Sequence, residues 1–105
     1  MTHKEVMAMV KKLKLPNAYD HFAEGEVPET PYVVYRYPGS DNFAADGVVY
    51  HKINELDIEL YTDKKDTKTE NAIEAVLDEH GLFYQKTEVW LEDEKLYEVF
   101  YEMEV

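Results

Sequence analysis

Two segments of this 105-residue chain alternate apolar and acidic side chains with a period of two. In the segment 56–60, Leu or Ile at even positions alternates with Asp or Glu at odd positions. In the segment 97–105, Tyr, Val and Met hold the odd positions, and Glu holds all but one of the even positions. Successive side chains of a strand point to opposite faces, so both segments predict strands with one buried and one solvated face.

The extended segment Val48–Thr62 contains a change of phase. Val49 and Ile53 fall on odd positions, whereas the apolar residues from Leu56 onward fall on even positions. A strand cannot change phase without a bulge or a twist, and we place this irregularity near Asn54–Glu55. We therefore expect the segment to begin outside the main sheet and to enter it in its second half.

Two amphipathic helices are predicted. The motifs Thr2–Glu5 and Thr67–Glu70 are capping-box patterns. Each is followed by apolar residues at helical spacing, and we expect the first helix to end at Pro16 and the second at Gly81. The apolar stripes are Val6, Met9, Val10 and Leu13 in the first helix, and Ala72, Ile73, Val76, Leu77 and His80 in the second.

Two further strands, at Tyr32–Tyr37 and about 82–91, complete the prediction. Tyr32–Tyr37 consists of β-branched residues, aromatic residues and one Arg, which favours a strand. Strands at about 82–91 and 95–105 would be joined by a hairpin tip at Glu92–Glu94. A three-residue loop there would place Val89 opposite Tyr97, although the sequence does not fix the register.

The predicted order is α-β-β-α-β-β over a single domain, 1–105. It is typical of an α+β fold with two helices on one face of a small, mostly antiparallel sheet. The connector 16–31 has no regular pattern, and we expect Tyr19 and Phe22 to hold it against the domain.

Composition restricts the possible partners. The chain has 23 acidic and 11 basic residues, which gives a formal net charge of −12. This balance argues against a protein that binds nucleic-acid backbones or an anionic membrane surface. Cysteine is absent, which excludes disulfides and thiolate chemistry. Because there is no apolar run of about 18 residues and no signal-like start, we expect a soluble intracellular domain.

The sequence contains no pattern that indicates catalysis or cofactor binding. Ser40 is the only serine and has no Gly-x-Ser-x-Gly context. The four histidines are far apart, and Asp63, Asp66 and Glu70 lack the spacing and central glycine of an EF-hand. We therefore expect no enzyme activity, no catalytic or metal-binding residue and no cofactor.

Two features are unusual for a chain of this length: nine tyrosines and the acidic excess. Tyrosine is enriched at protein interfaces, although a half-exposed tyrosine-rich sheet explains the count equally well. In the turn-rich loop Pro38–Gly47, Phe43 is the one large apolar residue, and it either contacts a neighbouring molecule or packs back onto the sheet.

Several segments together resemble the tail-terminator or tail-completion proteins of long-tailed phages and prophages of Gram-positive bacteria. The resemblance lies in the order and the amino-acid sequences of six segments: Pro31–Tyr35, Ser40–Gly47, Ile58–Thr62, Lys65-Asp66, Glu70–Gly81 and Tyr97–Val105. It implies a protein that forms a ring, usually of six copies, which caps the tail tube and joins the tail to the head.

The resemblance also implies a set of partners and a location. The partners would be further copies of the chain, the tail tube protein and the head connector, while DNA passes through the ring without being bound. The protein would assemble in the bacterial host cytoplasm and end at the head–tail junction of the virion. Subunit or tube contacts would involve Phe43, Val48, Val49, Tyr50 and Ile53.

Two alternatives remain open from the sequence. One is another head–tail joining or minor capsid protein. The other is an acidic DNA mimic, in which a spaced row of carboxylates imitates phosphates and inhibits a nucleic-acid-binding enzyme.

Overall fold

The computed structural model describes residues 1–45 and 47–105, with the side chains at 43–45 and 48–51 left outside that description. Two helices and seven strands are found within the described residues. They are α1 (His3–Lys11), β1 (Asn17–Tyr19), β2 (Tyr32–Arg36), β3 (Phe43–Ala45), β4 (Val48–His51), β5 (Glu55–Thr62), α2 (Thr67–Glu79), β6 (Tyr84–Leu91) and β7 (Leu96–Glu104). This order confirms the predicted succession. The predicted segment 48–62 forms the two strands β4 and β5, and β1 and β3 are additional short strands, of which β3 lies within the predicted loop Pro38–Gly47.

Five of these strands form one sheet in the order β1-β2-β5-β7-β6. The β1–β2 pair is parallel, and the other three pairs in the sheet are antiparallel. The predicted α+β class is therefore confirmed. The sheet has two unequal edges, because β1 spans three residues and β6 spans eight.

Both helices pack on the same face of the sheet. Alternate residues of β5 point into this core, so that Leu56, Ile58 and Leu60 are fully buried as the alternation predicted. Each such side chain contributes about 1.5–3 kcal/mol by burial. The remaining core side chains are Val6, Met9, Val10, Val33, Tyr35, Ile73, Leu77, Val99, Tyr101 and Met103. Val76, also predicted in the core, is half-buried and packs against it.

The predicted phase change separates two strands. β4 pairs with β3 in a two-stranded sheet of its own, whereas β5 lies at the centre of the main sheet. Between them, Asn54 exchanges backbone hydrogen bonds with Val105, at N–O distances of 2.8 and 3.2 Å. The chain therefore enters the main sheet at the position that the sequence indicated.

The two helix starts differ in how well the sequence predicted them. The Thr2 hydroxyl accepts a hydrogen bond from the Glu5 amide, and the Glu5 carboxylate accepts one from the Thr2 amide. These two bonds confirm the first capping box. The second box is wrong, because Asp66 is the N-cap and its carboxylate accepts from the Thr69 amide at 3.0 Å. Glu70 is thereby free to point toward the sheet.

The β6–β7 hairpin has a longer turn than predicted. Its turn comprises residues 92–95, and Lys95 adopts a left-handed backbone conformation with φ of 55°. The added turn residue shifts the register by one, so Val89 faces Glu98 and not Tyr97. The α1 helix also ends early, at Lys11 and well before Pro16.

The connector 16–31 is attached to the sheet by the two predicted side chains. Tyr19 lies in β1 and packs edge-on against Tyr35, with ring centroids 5.4 Å apart. Phe22 packs edge-on against Tyr32, also at 5.4 Å. Neither of the two described helices is long and apolar enough to cross a bilayer.

Candidate interaction surface

The sheet face opposite the helices carries most of its charge as carboxylates. Because β5 and β7 alternate with their apolar residues facing the core, their acidic residues share the other face, which we call the open face. Asp57 lies opposite Glu102, and Glu55 lies opposite Glu104. The carboxylates of the open face are Glu55, Asp57, Glu59, Glu98, Glu102 and Glu104.

These carboxylates raise one another's affinity for protons. Partial burial raises the pKa of Asp57, and the charges of Glu102 and Glu55 add to this, while Arg36 at 3.7 Å opposes it. The pKa of Glu104 is also raised, chiefly by a hydrogen bond with the Asp41 carboxyl group. The open face therefore has a strongly negative potential at neutral pH.

One end of the open face is closed by aromatic residues. The Tyr61 hydroxyl donates to Glu98, which is 8% exposed, and also lies 3.4 Å from a Glu59 oxygen. The Tyr32 ring stacks on Tyr61 with centroids 5.1 Å apart, and Phe22 covers Tyr32 from the connector. Burial and the hydrogen bond to Glu98 raise the pKa of Tyr61, so this hydroxyl remains a donor.

At the other end of the open face is a groove with a volume of about 730 Å³. Its acidic wall contains Glu55, Asp57, Glu102 and Glu104, and its apolar wall contains Leu82, Phe83 and Met103. Phe83 is 80% exposed, the largest exposed fraction among the large apolar side chains that the structure describes. The arrangement combines an apolar contact with negative charge.

The outer strand β6 is attached to the helices by charged groups. Glu70 of α2 is 2% exposed, and each of Lys65 and Lys86 lies 2.8 Å from one of its carboxylate oxygens. Lys86 also binds Glu74 at 2.8 Å, and the Tyr101 hydroxyl donates to the same Glu74 oxygen at 2.8 Å. Polar side chains thus take the place of an apolar core at this side of the sheet.

β6 is also the sheet's free long edge. In the described sheet it pairs with β7 alone, and all six of its interior residues are exposed. Val89 and Trp90 are 38% and 43% exposed, with the Trp90 ring against Tyr97 at 4.7 Å. The alternation of apolar and polar residues did not predict that β6 is an edge strand. A strand's place in the sheet depends on the order of all the strands, which includes pairs between segments distant in sequence.

The sequence-predicted contact residues lie in and beside the β3–β4 hairpin. Backbone pairing joins Phe43 to this hairpin together with Val48 and Val49, although the side chains of these residues and of Tyr50 lie outside the description. Ile53 is half-buried, and its backbone N–H donates to the Asn42 side chain at 3.1 Å. The structure thus places the five residues along one stretch of chain without testing their role.

Among the side chains that the structure describes, the candidate catalytic groups of the sequence do not come together. Ser40 forms an isolated bridge with Asn54, and the His80 ring lies 2.9 Å from the Val76 carbonyl oxygen. His3 contacts the Tyr37 hydroxyl, at 2.6 Å. Among the described residues, no group of three or more His, Cys, Asp or Glu side chains could hold a metal ion.

Fold and surface together define the chain as an α+β domain with a free eight-residue sheet edge and an open acidic face. No protein-family model matches the chain, and no curated protein matches it significantly.

Proposed function

We propose that this chain is a structural phage or prophage protein that caps the tail tube as a ring and joins the tail to the head. The observation that carries the proposal is the β3–β4 hairpin, which has its own small sheet and is not part of the main sheet. A hairpin attached to a rigid domain in this way is suited to contacts with a neighbouring subunit. The described surface otherwise offers negative charge and exposed apolar side chains.

The charge of the chain also supports this role. A ring through which DNA passes benefits from an acidic inner surface, because attraction to phosphates would slow the DNA. The open face supplies six carboxylates, and Arg36 is a cation on the same face. We therefore assign the open face to the ring interior.

Substitution of the hairpin aromatics tests the proposal. Phe43→Ser with Tyr50→Ser should leave the melting temperature unchanged and abolish ring formation. Val27→Ser, at a residue 58% exposed on the connector, is the matched surface control and should leave ring formation intact. Phage carrying the double variant, or lacking the gene, should make tails of uncontrolled length that do not join heads. Tails of normal length from the deletion phage would refute the terminator role and favour another head–tail joining protein.

A second function is favoured by the spacing on β5. Glu55, Asp57 and Glu59 occupy alternate positions of one strand and face the same side, so their Cα atoms recur about every 6.8 Å. An evenly spaced row of carboxylates is what a DNA mimic requires. Inhibition of a host nuclease by the purified protein, lost in Asp57→Asn with Glu59→Gln, would support the mimic over the terminator.

A further inference from the structure

We propose that two copies of this chain pair through their β6 strands, antiparallel about a two-fold axis at Thr87, and so form a dimer with one continuous sheet. The dimer does not depend on the tail proposal. Ring contacts are head-to-tail, whereas this contact is two-fold and uses a different surface from the β3–β4 hairpin.

The backbone of β6 makes such pairing possible. β6 is eight residues long and, among the described strands, has β7 as its one neighbour, so its outer N–H and C=O groups face away from the sheet. An unpaired edge of this length is a template for a further strand. Charged side chains on an edge strand usually discourage such pairing, but Lys86 and Glu88 lie on the same face of β6 and have opposite signs, so they can attract each other across a two-fold axis.

Symmetry allows few registers. In an antiparallel pair of strands, the side chains of two directly opposite residues point to the same face of the sheet. The backbone N–H and C=O groups of both residues either point toward the partner strand or point away from it. A strand that pairs with its own copy therefore matches odd positions with odd and even with even. The pairing axis must consequently pass through a residue. Axes through Thr87 and Glu88 use the most of β6, and an axis through their charged neighbour Lys86 is the third to compare.

Charge selects among these three registers. An axis through Lys86 would place two lysines opposite each other, and an axis through Glu88 would oppose two glutamates. An axis through Thr87 places Lys86 opposite the second copy's Glu88, and this attractive pair occurs twice. Within one copy Lys86 binds Glu70 and Glu74, and Glu88 binds Lys65, but the side chains of Lys86 and Glu88 are still 36% and 39% exposed and can therefore also contact a second copy.

The same register covers the exposed apolar residues near the edge. Trp90 would lie opposite the second copy's Tyr84 on the helix side of the sheet. On the open face, Phe83 would lie opposite the second copy's Leu91, where Phe83 loses much of its 80% exposure. Favourable aromatic, apolar and charged cross-strand pairs thus coincide in one register.

Sedimentation equilibrium gives the first test. It should be run in about 0.15 M salt, where the Debye length of about 8 Å screens the net charge of each chain but not a direct contact. The wild-type protein should show a species of twice 12.4 kDa. Glu88→Lys should weaken dimerisation by about tenfold or more, because two attractive pairs become repulsive.

A matched control distinguishes the loss of the contact between two copies from the loss of the ion pair that Glu88 forms within its own copy. Lys65 lies 2.7 Å from Glu88 within one copy, so Lys65→Ala removes the same intrachain ion pair, together with the Lys65–Glu70 pair, without changing the β6 edge. Lys65→Ala should dimerise like the wild type. A wild-type protein that stays monomeric up to its solubility limit would overturn the proposal, as would equal dimerisation by wild type and Glu88→Lys.

Disulfide trapping tests the register, since the natural chain has no cysteine. Thr87→Cys lies on the proposed axis and should cross-link to its own copy on mild oxidation. Lys86→Cys and Glu88→Cys lie on the two alternative axes and should cross-link far more slowly. The two-fold pairing about Thr87 would be refuted if either of these variants cross-linked faster than Thr87→Cys. It would also be refuted if the protein assembled solely as a six-subunit ring and Glu88→Lys left that ring unaffected.

Discussion

Replacement of Lys86 by Met tests whether ion pairs hold the outer strand. The substitution keeps the aliphatic stem and removes the ammonium group that binds Glu70 and Glu74, both at 2.8 Å. Glu70 keeps Lys65 as a partner, and Glu74 keeps the Tyr101 hydroxyl. The loss should therefore be that of hydrogen bonds to charged groups, about 1.5–3 kcal/mol, and not the larger cost of a buried charge left alone.

For a domain of this length, that loss should lower the melting temperature by roughly 7–14 °C. Thermal unfolding followed by circular dichroism measures it. Lys64→Met, at an exposed turn lysine, is the matched control and should stay close to the wild type.

The pH dependence of this difference is a separate check. Burial alone would raise the pKa of Glu70, but hydrogen bonds from Lys65 and Lys86 outweigh it and lower the pKa below the ordinary 4.5. A carboxylate with a lowered folded-state pKa stabilises above its unfolded pKa and loses this contribution as pH falls through the folded value. The penalty of Lys86→Met should therefore be largest near neutral pH and shrink below about pH 4.5. A penalty that is constant with pH would refute the ion-pair explanation.

Two further predictions concern the core and the open face. Leu77→Ala should cost roughly 2–5 kcal/mol in denaturant unfolding, because Leu77 is fully buried, and a cost close to zero would contradict the placement of α2. Glu59→Gln should raise the melting temperature at pH 7, since burial and the charge of Glu98 raise the pKa of Glu59 and make its ionised form unfavourable in the fold. That gain should disappear at pH values below about 4.5, where the carboxyl is protonated in both states, and a gain that persists there would indicate a different cause.

Hydrophobic periodicity was sufficient to predict the centre of the fold. The even positions of β5 are buried, and the change of phase before Leu56 marks the passage from the hairpin into the main sheet. These predictions succeeded because a strand with one buried face needs an apolar residue at every second position, and this pattern is visible in the sequence. The strand β1 was not predicted, because three residues beside Pro16 are too short to carry a period.

Details that depend on single side chains could not be predicted in the same way. Both Asp66 and Thr67 are competent caps, and the structure uses the first of them. The hairpin register depends on the left-handed backbone at Lys95, which no local residue preference required. Likewise, Glu70 looked like a capping residue and is instead buried beneath two lysines, a contact set by the docking of α2 on the sheet.

The open acidic face has a consequence for how this domain can be incorporated into larger structures. Covering that face with an apolar surface would require its carboxylates to lose their water or take up protons, and both cost free energy. The opposite face is already occupied by the two helices. Direct stacking of a second domain on either face of the sheet is therefore disfavoured, and extension of the sheet is directed into its own plane, where backbone hydrogen bonds do not require charges to be buried.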